Sequence, residues 1–198
     1  MPPKTKITKD MILDAAFEIA RNEGAEQINA RTIAQKIGCS TQPVMYQFAT
    51  IEEIKVEVFR KAEKFHTSYF MSTVGEFGNP LLEIAMRYIR FAEQEKNLFR
   101  FLFQSDRFGD RNIADWVHSE KIQPVLGMME QQAGITAEQA AELFISVYAV
   151  MHGYASMFAN NAMEYEEAFI VKSIQRTFLG IVCSMKMEQR QIGEEKVS

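Results

Sequence analysis

Residues 30–48 carry a small side chain at Ala34, a glycine four positions on at Gly38, and a branched apolar residue six further at Val44. That spacing restricts what the segment can become. Two helices that cross steeply need a side chain no larger than methyl where they touch, which Ala34 supplies. Gly38 permits the left-handed backbone through which a three-residue turn leaves the first helix. Ile33, Ile37 and Val44 are then expected to face inward, leaving Thr41, Gln42, Tyr46 and Gln47 outward on the second helix. The segment reads as a helix-turn-helix, and an outward polar face of this kind suits a DNA major groove.

Cap chemistry agrees. Asn29 stands before the first helix and Ser40 before the second, each able to accept from unpaired first-turn amides. Pro43 falls in the first turn of the helix that follows Ser40, where its missing N–H removes no intrahelical bond. Upstream, Met11, Ile12, Ala15, Ala16, Ile19 and Ala20 recur at three and four from Thr8, predicting a helix that ends by Gly24. Downstream, Thr50-Ile51-Glu52-Glu53 has the form of a capping box that opens a long helix through Ile54 and Val58 to about Ser72.

From residue 50 onward no strand alternation occurs, so the expected fold is all-α. Asn79-Pro80 predicts a helix through Ile84, Tyr88 and Phe91, and 98–104 a short one. A helix over 113–132 must be kinked or broken by Pro124. Thr136 with Gln139 forms another capping box, opening a helix to about Ala159, and a last helix runs from about Glu164 to Met187.

Helix, helix-turn-helix and long connecting helix, all beginning within about fifty residues of the N-terminus, make a chain that resembles the TetR family of bacterial transcriptional repressors over its whole length. Ile33, Ala34, Gly38, Ser40, Phe48 and Glu53 fit the family's pattern, with Cys39, Val44, Thr50 and Ile54 as mild variants. Three positions depart. Met45 stands where the family usually has a phosphate-binding tyrosine, Gln47 where histidine is common, and Ile51 where a lysine normally touches the DNA backbone. Tyr46 and Lys55 are the available substitutes. The resemblance implies a DNA-binding head over residues 1–49 and a helical ligand-sensing and dimerisation region over residues 50–198. The residues expected on DNA are Lys6, Arg31, Thr32, Ser40, Thr41, Gln42, Tyr46, Gln47 and Lys55.

The net charge of −4 is unevenly divided: residues 1–48 hold six Lys or Arg against five Asp or Glu, and the remainder carries −5. Only the head needs to meet phosphate, and Lys4, Lys6 and Lys9 can reach it as an arm. The last two helices are apolar on more than one face. The resemblance implies that they pair with a second copy, through Phe144, Tyr148, Phe158, Ile170, Ile174, Phe178, Ile181, Val182 and Met185, to give a homodimer over a palindromic double-stranded operator.

Twelve methionines and fifteen phenylalanines suit a malleable core, and the resemblance implies an apolar pocket for a small effector. Its expected lining is Phe65, Tyr69, Tyr88, Phe99, Phe103, Trp116, Met128, Tyr148, Met151 and His152. Cys39 and Cys183 are too few for a disulfide framework, are expected to be small buried residues, and fit a reducing cytoplasm. No apolar run approaches the ~20 residues that cross a bilayer. His66, His118 and His152 are scattered, and neither a metal-ligand pair, nor a Gly-rich phosphate loop, nor a Gly-x-Ser-x-Gly nucleophile occurs. No cofactor and no catalytic residue is therefore expected. The rival reading is an all-α binding protein or enzyme with an apolar cavity and no DNA role.

Overall fold

The computed structural model describes residues 7–71, 75–105, 113–160 and 163–195. Among them there are only helices and turns: α1 (Lys9–Asn22), a 3₁₀ turn (Ala25–Gln27), α2 (Ala30–Ile37), α3 (Thr41–Gln47), α4 (Ile51–Met71), α5 (Pro80–Gln94), α6 (Lys96–Phe103), α7 (Ile113–Val117), α8 (Gln123–Ala133), α9 (Ala137–Ala159) and α10 (Glu167–Glu195).

Local chemistry sets most of these boundaries. Thr8 accepts from the Met11 amide to start α1, and Asn79 accepts from the amides of Leu81 and Leu82 to start α5. Thr136 and Gln139 exchange side-chain bonds with each other's amides, closing a capping box on α9. At α4 the Thr50 hydroxyl accepts from the Glu53 amide, but the Glu53 carboxylate returns to the Ala49 amide, one residue earlier than a strict box. The helix expected over 113–132 is broken. Pro124 is the second residue of α8, where its missing N–H costs nothing, and a turn over residues 118–122 separates α7 from α8.

Packing divides the chain into two compact units: residues 1–72 with 91–108, and residues 73–90 with 109–198. The first extends past residue 49 because α4 and α6 close over α1. Its core is built from Ile12 and Ile19 of α1, Ile33 of α2, Val44 of α3, Ile54 and Val58 of α4, and Leu98 and Phe99 of α6, all at most 1% exposed. Burying each such side chain is worth roughly 1.5–3 kcal/mol. Ala16, Ala20, Ala34 and Ala62 are buried among them, and their methyls let helix axes approach closely. Arg21 ties α1 to the start of α6: its Nε donates to Glu95 at 2.8 Å, and its carbonyl accepts from the Asn97 side-chain Nδ2 at 2.8 Å.

In the second unit α9 is the central element, with α7, α8 and α10 packed on it. Met86 and Ile89 of α5, Leu143 and Ala155 of α9 and Ile170 of α10 are at most 1% exposed. Charge on α5 is absorbed locally. The buried Glu83 carboxylate accepts from Arg87 and from the Phe77 amide. Arg90 donates to Glu76 and to Glu167, its bonds to Glu76 being the chief reason its guanidinium is held charged. Cys183 is exposed on α10 rather than buried, whereas Cys39 is half-buried.

Candidate nucleic-acid interface and ligand cavity

The turn between α2 and α3 follows from Gly38. Its φ of 79° and ψ of 37° lie in the left-handed region, and its amide donates to the Ala34 carbonyl at 2.9 Å. The Cys39 amide bonds the same carbonyl, also at 2.9 Å, so two successive amides close on the last turn of α2. At the other end Asn29 Oδ1 accepts from the amides of Arg31 and Thr32, both at 3.0 Å. On α3, Val44 is 0% exposed and Phe48, one turn on, is 3% exposed, so this edge is locked inward. Thr41, Gln42, Met45 and Tyr46 occupy the other side, with Tyr46 86% and Met45 43% exposed.

The structure redistributes several expected DNA residues. Arg31, Ser40, Thr41, Gln42 and Tyr46 are exposed. Ser40 precedes α3, but its hydroxyl makes no cap bond. Thr32 is consumed by the capping box: its hydroxyl accepts from the Asn29 amide and donates to the Gln27 carbonyl at 2.7 Å. Gln47 turns back, its Nε2 donating to the Ile7 carbonyl at 3.1 Å, and so braces the start of α1 instead of facing outward. Lys55 lines a polar recess of about 380 Å³ with Glu26, Asn97, Arg100 and Gln104. Lys4 and Lys6 lie outside the described residues. Lys9 lies over the Phe48 ring at 5.1 Å. Ile37, expected inward, is half-buried.

The second unit holds a cavity of about 330 Å³ among α5, α8, α9 and α10. Its walls are Leu81, Leu82, Ile84 and Ala85, then Val125 and Met129, then Phe144, Val147, Tyr148 and Met151, then Ile174, Phe178 and Leu179. Asn79, Gln132 and Gln175 add carboxamides. All sixteen lining residues are uncharged. Of the expected lining, only Tyr148 and Met151 are there. Phe65, Tyr69, Phe99 and Phe103 belong to the first unit, where they build an aromatic cluster around Phe91 and His66. Trp116 packs behind the wall with its ring tilted against Phe144 and Tyr148, and Met128 is half-buried outside the cavity.

Tyr88 and His152 also stand behind the wall. The Tyr88 hydroxyl lies 2.8 Å from His152 Nδ1 and 3.2 Å from the Tyr148 hydroxyl. Burial raises the pKa of both tyrosines and lowers that of His152, so all three groups are neutral near pH 7. This network, which fixes the orientation of one wall residue, gave no signal in sequence. Its members are sixty and sixty-four residues apart.

The residues expected at a subunit contact are mostly inside the chain's own core. Phe144, Phe158, Ile170, Ile174, Val182 and Met185 are buried, while Tyr148, Phe178 and Ile181 are half-buried. What α10 leaves exposed is Phe169 (60%), Leu179 (59%) and Met187 (62%), with Cys183 between the last two. Over Glu167–Gln191 this helix does have the length and mean hydropathy (1.3) of a membrane span, beyond what the apolar runs in the sequence suggested. Those properties are also the ones of a helix that packs one face on α9 and leaves apolar side chains on another.

A transcriptional regulator of the helix-turn-helix type from Bacillus subtilis (strain 168), the uncharacterized YobS, is 24% identical over 185 residues, covering 90% of this chain and 94% of that protein. The crystal structure of a TetR-like transcriptional regulator from Rhodococcus sp. RHA1 superposes with a TM-score of 0.62 at 12% identity, over 90% of this chain and 96% of that one. No family model matches the chain. The structural likeness shows the fold: the helices are arranged as in a TetR-like regulator.

Proposed function

We propose, from the TetR-like fold and the regulator relative, that this chain is a DNA-binding transcriptional regulator, a homodimer that represses from a palindromic operator and is released by a small effector. The observation that carries the reading is the α2–Gly38–α3 pair, in which Val44 and Phe48 lock one edge of α3 inward and leave Thr41, Gln42, Met45 and Tyr46 outward. Arg31 and Lys36, exposed on α2, supply charge for phosphate, the contact that positions a protein on DNA without reading its sequence.

Self-association is supported by the exposed Phe169, Leu179 and Met187 of α10, which a second copy of the helix would cover. The effector reading is supported by the cavity, whose volume sits at the small end of the roughly 300–1,000 Å³ usual for ligand sites. Its uncharged walls favour a neutral, mostly apolar molecule. Release then requires that the ligand bind one arrangement of the helices better than another, since only differential affinity shifts an equilibrium.

Selection from a random duplex pool by the purified full-length chain at physiological salt tests the reading. The expected result is a palindrome with half-sites about one helical turn apart. A folded protein that enriches no sequence would leave only a helical ligand-binding module. Sedimentation at micromolar concentration tests the dimer separately, and a species of 22.7 kDa would remove it.

A further inference from the structure

We infer that the outward face of α3 is built to read A·T base pairs, with Gln42 addressing adenine and Met45 and Thr41 packing against thymine methyl groups. The inference rests on the DNA-binding reading above and specifies the operator that this reading requires.

From Ile37 through Ile51 the chain has no Asp, Glu, Lys, Arg or His, a run of fifteen residues that includes all of α3. In the major groove guanine offers two acceptors and is read chiefly by Arg or Lys, while the cytosine amino group is read by a carboxylate. α3 has neither kind of side chain. Adenine presents one acceptor and one donor, matched by a carboxamide, and thymine presents a methyl group, matched by apolar contact. Gln42 is an exposed carboxamide, Met45 an exposed thioether, and Thr41 carries a methyl group.

The geometry leaves these residues little freedom to do anything else. Positions 41, 42, 45 and 46 fall on one side of a helix, and rotation of α3 about its axis is blocked by Val44 at 0% and Phe48 at 3% exposure on the other. The remaining carboxamide of the helix, Gln47, is engaged with the Ile7 carbonyl at 3.1 Å, so Gln42 is the one exposed on this face. Tyr46, 86% exposed, adds a ring edge and a hydroxyl that can serve either partner of an A·T pair. The exposed cations before the run, Arg31 and Lys36, stand on α2, the helix that in this motif crosses the phosphate backbone, so their charge does not turn the reading toward guanine.

The test starts from duplexes selected by the full-length protein. A·T pairs are expected at the invariant positions of each half-site, and invariant G·C pairs there would overturn the inference. Replacing thymine by uracil at those positions removes only the methyl group. The parent is expected to lose affinity several-fold, whereas Met45→Ala, already lacking one of the methyl contacts, should lose less than the parent does. Equal binding of thymine and uracil duplexes by the parent would also overturn it. Gln42→Arg is expected to exchange one selected A·T pair for G·C, with a preference of about tenfold. Both substitutions are at exposed positions, and unchanged helical circular dichroism and melting confirm that the variants are folded. Enrichment of no sequence by the folded parent would remove the DNA-binding reading itself, an outcome distinct from enrichment of G·C.

Discussion

The two compact units use the same kinds of apolar side chain to opposite ends. In the first, alanines at the helix crossings and branched residues behind them close the space between α1, α2, α3 and α4, and Ile12, Ile33, Val44 and Ile54 are all fully buried. In the second, Phe144, Met129, Val147 and Met151 are also buried from solvent, yet they surround an open volume of about 330 Å³. Burial alone does not distinguish a finished core from a cavity wall. What differs is whether a side chain finds another across the gap, and in the first unit even aromatic rings do, Phe17, Phe65 and Phe91 meeting in sequence.

The largest expected effect breaks the first unit from within. His66 sits among Phe70, Phe91 and Phe103 with ring centroids 4.6, 4.7 and 5.1 Å away, and its Nε2 is buried without a hydrogen-bond partner. Burial lowers its pKa to about 4, below the 6.5 it recovers on unfolding. The unfolded chain therefore takes up the proton first as pH falls. The stability that depends on neutral His66 is complete above pH 6.5 and is lost between 6.5 and about 4, amounting to about 3 kcal/mol at most. Chemical denaturation from pH 7 to 4.5 should show this decline in the parent and a flatter profile in His66→Phe; parallel profiles would discard it. His152, half-buried in the second unit and bonded to Tyr88, has its pKa lowered as well but keeps a partner.

Filling each unit sharpens the contrast. Ala34→Leu inserts a branched side chain where α2 meets its neighbours in a closed core, and should destabilise the first unit by about 1–3 kcal/mol through overpacking. Ala85→Leu, at a position equally buried, grows into the cavity that Ala85 lines and should be neutral or stabilising. Thermal melts of the two variants compare them directly, and equal losses would mean that the cavity is not open space. A smaller effect tests the wall's support. Tyr88→Phe removes the hydroxyl bonded to Tyr148 and His152, at a cost of about 1–2 kcal/mol if both partners stay buried. Wild-type stability in that variant would show that water replaces the lost bonds.

Legibility in sequence follows the same division. Thr8, Asn29, Gly38, Asn79 and Thr136 were readable because capping and left-handed turns are decided within a few residues. Thr41, Gln42 and Tyr46 were readable as outward from helical periodicity alone, whereas the exposure of Met45 was not foreseen. Thr32 and Gln47 have the right type and spacing for a DNA face, yet hydrogen bonds engage each elsewhere. The cavity was misread for a related reason. Phe65 and Phe99 line a core while Phe144 and Phe178 line the opening, and nothing in a phenylalanine's neighbours along the chain says whether its ring meets another ring or empty space. Likewise Ile170 and Ile174 face into the chain and Phe169 and Leu179 face out, a rotation of α10 set by its contact with α9.

The smallest effect on stability is the most specific for ligand choice. Gln175 is exposed on α10 and is one of three carboxamides lining the cavity, whose sixteen residues include no charge to pair with an ionised ligand. Bringing a carboxylate or an ammonium group there costs desolvation that these walls do not repay. The parent should bind octanol or 4-butylphenol in preference to octanoate or octylamine, as read by calorimetry or by the rise in melting temperature. Gln175→Lys should leave unliganded stability within about 0.5 kcal/mol, because the position is a solvent-facing one. It should nevertheless bind octanoate several-fold more tightly than the parent does, since an ammonium at the opening supplies the missing partner. If octanoate binds the parent as well as octanol, charge is not what the cavity selects against; if Gln175→Lys changes nothing, Gln175 does not stand at the ligand's polar end.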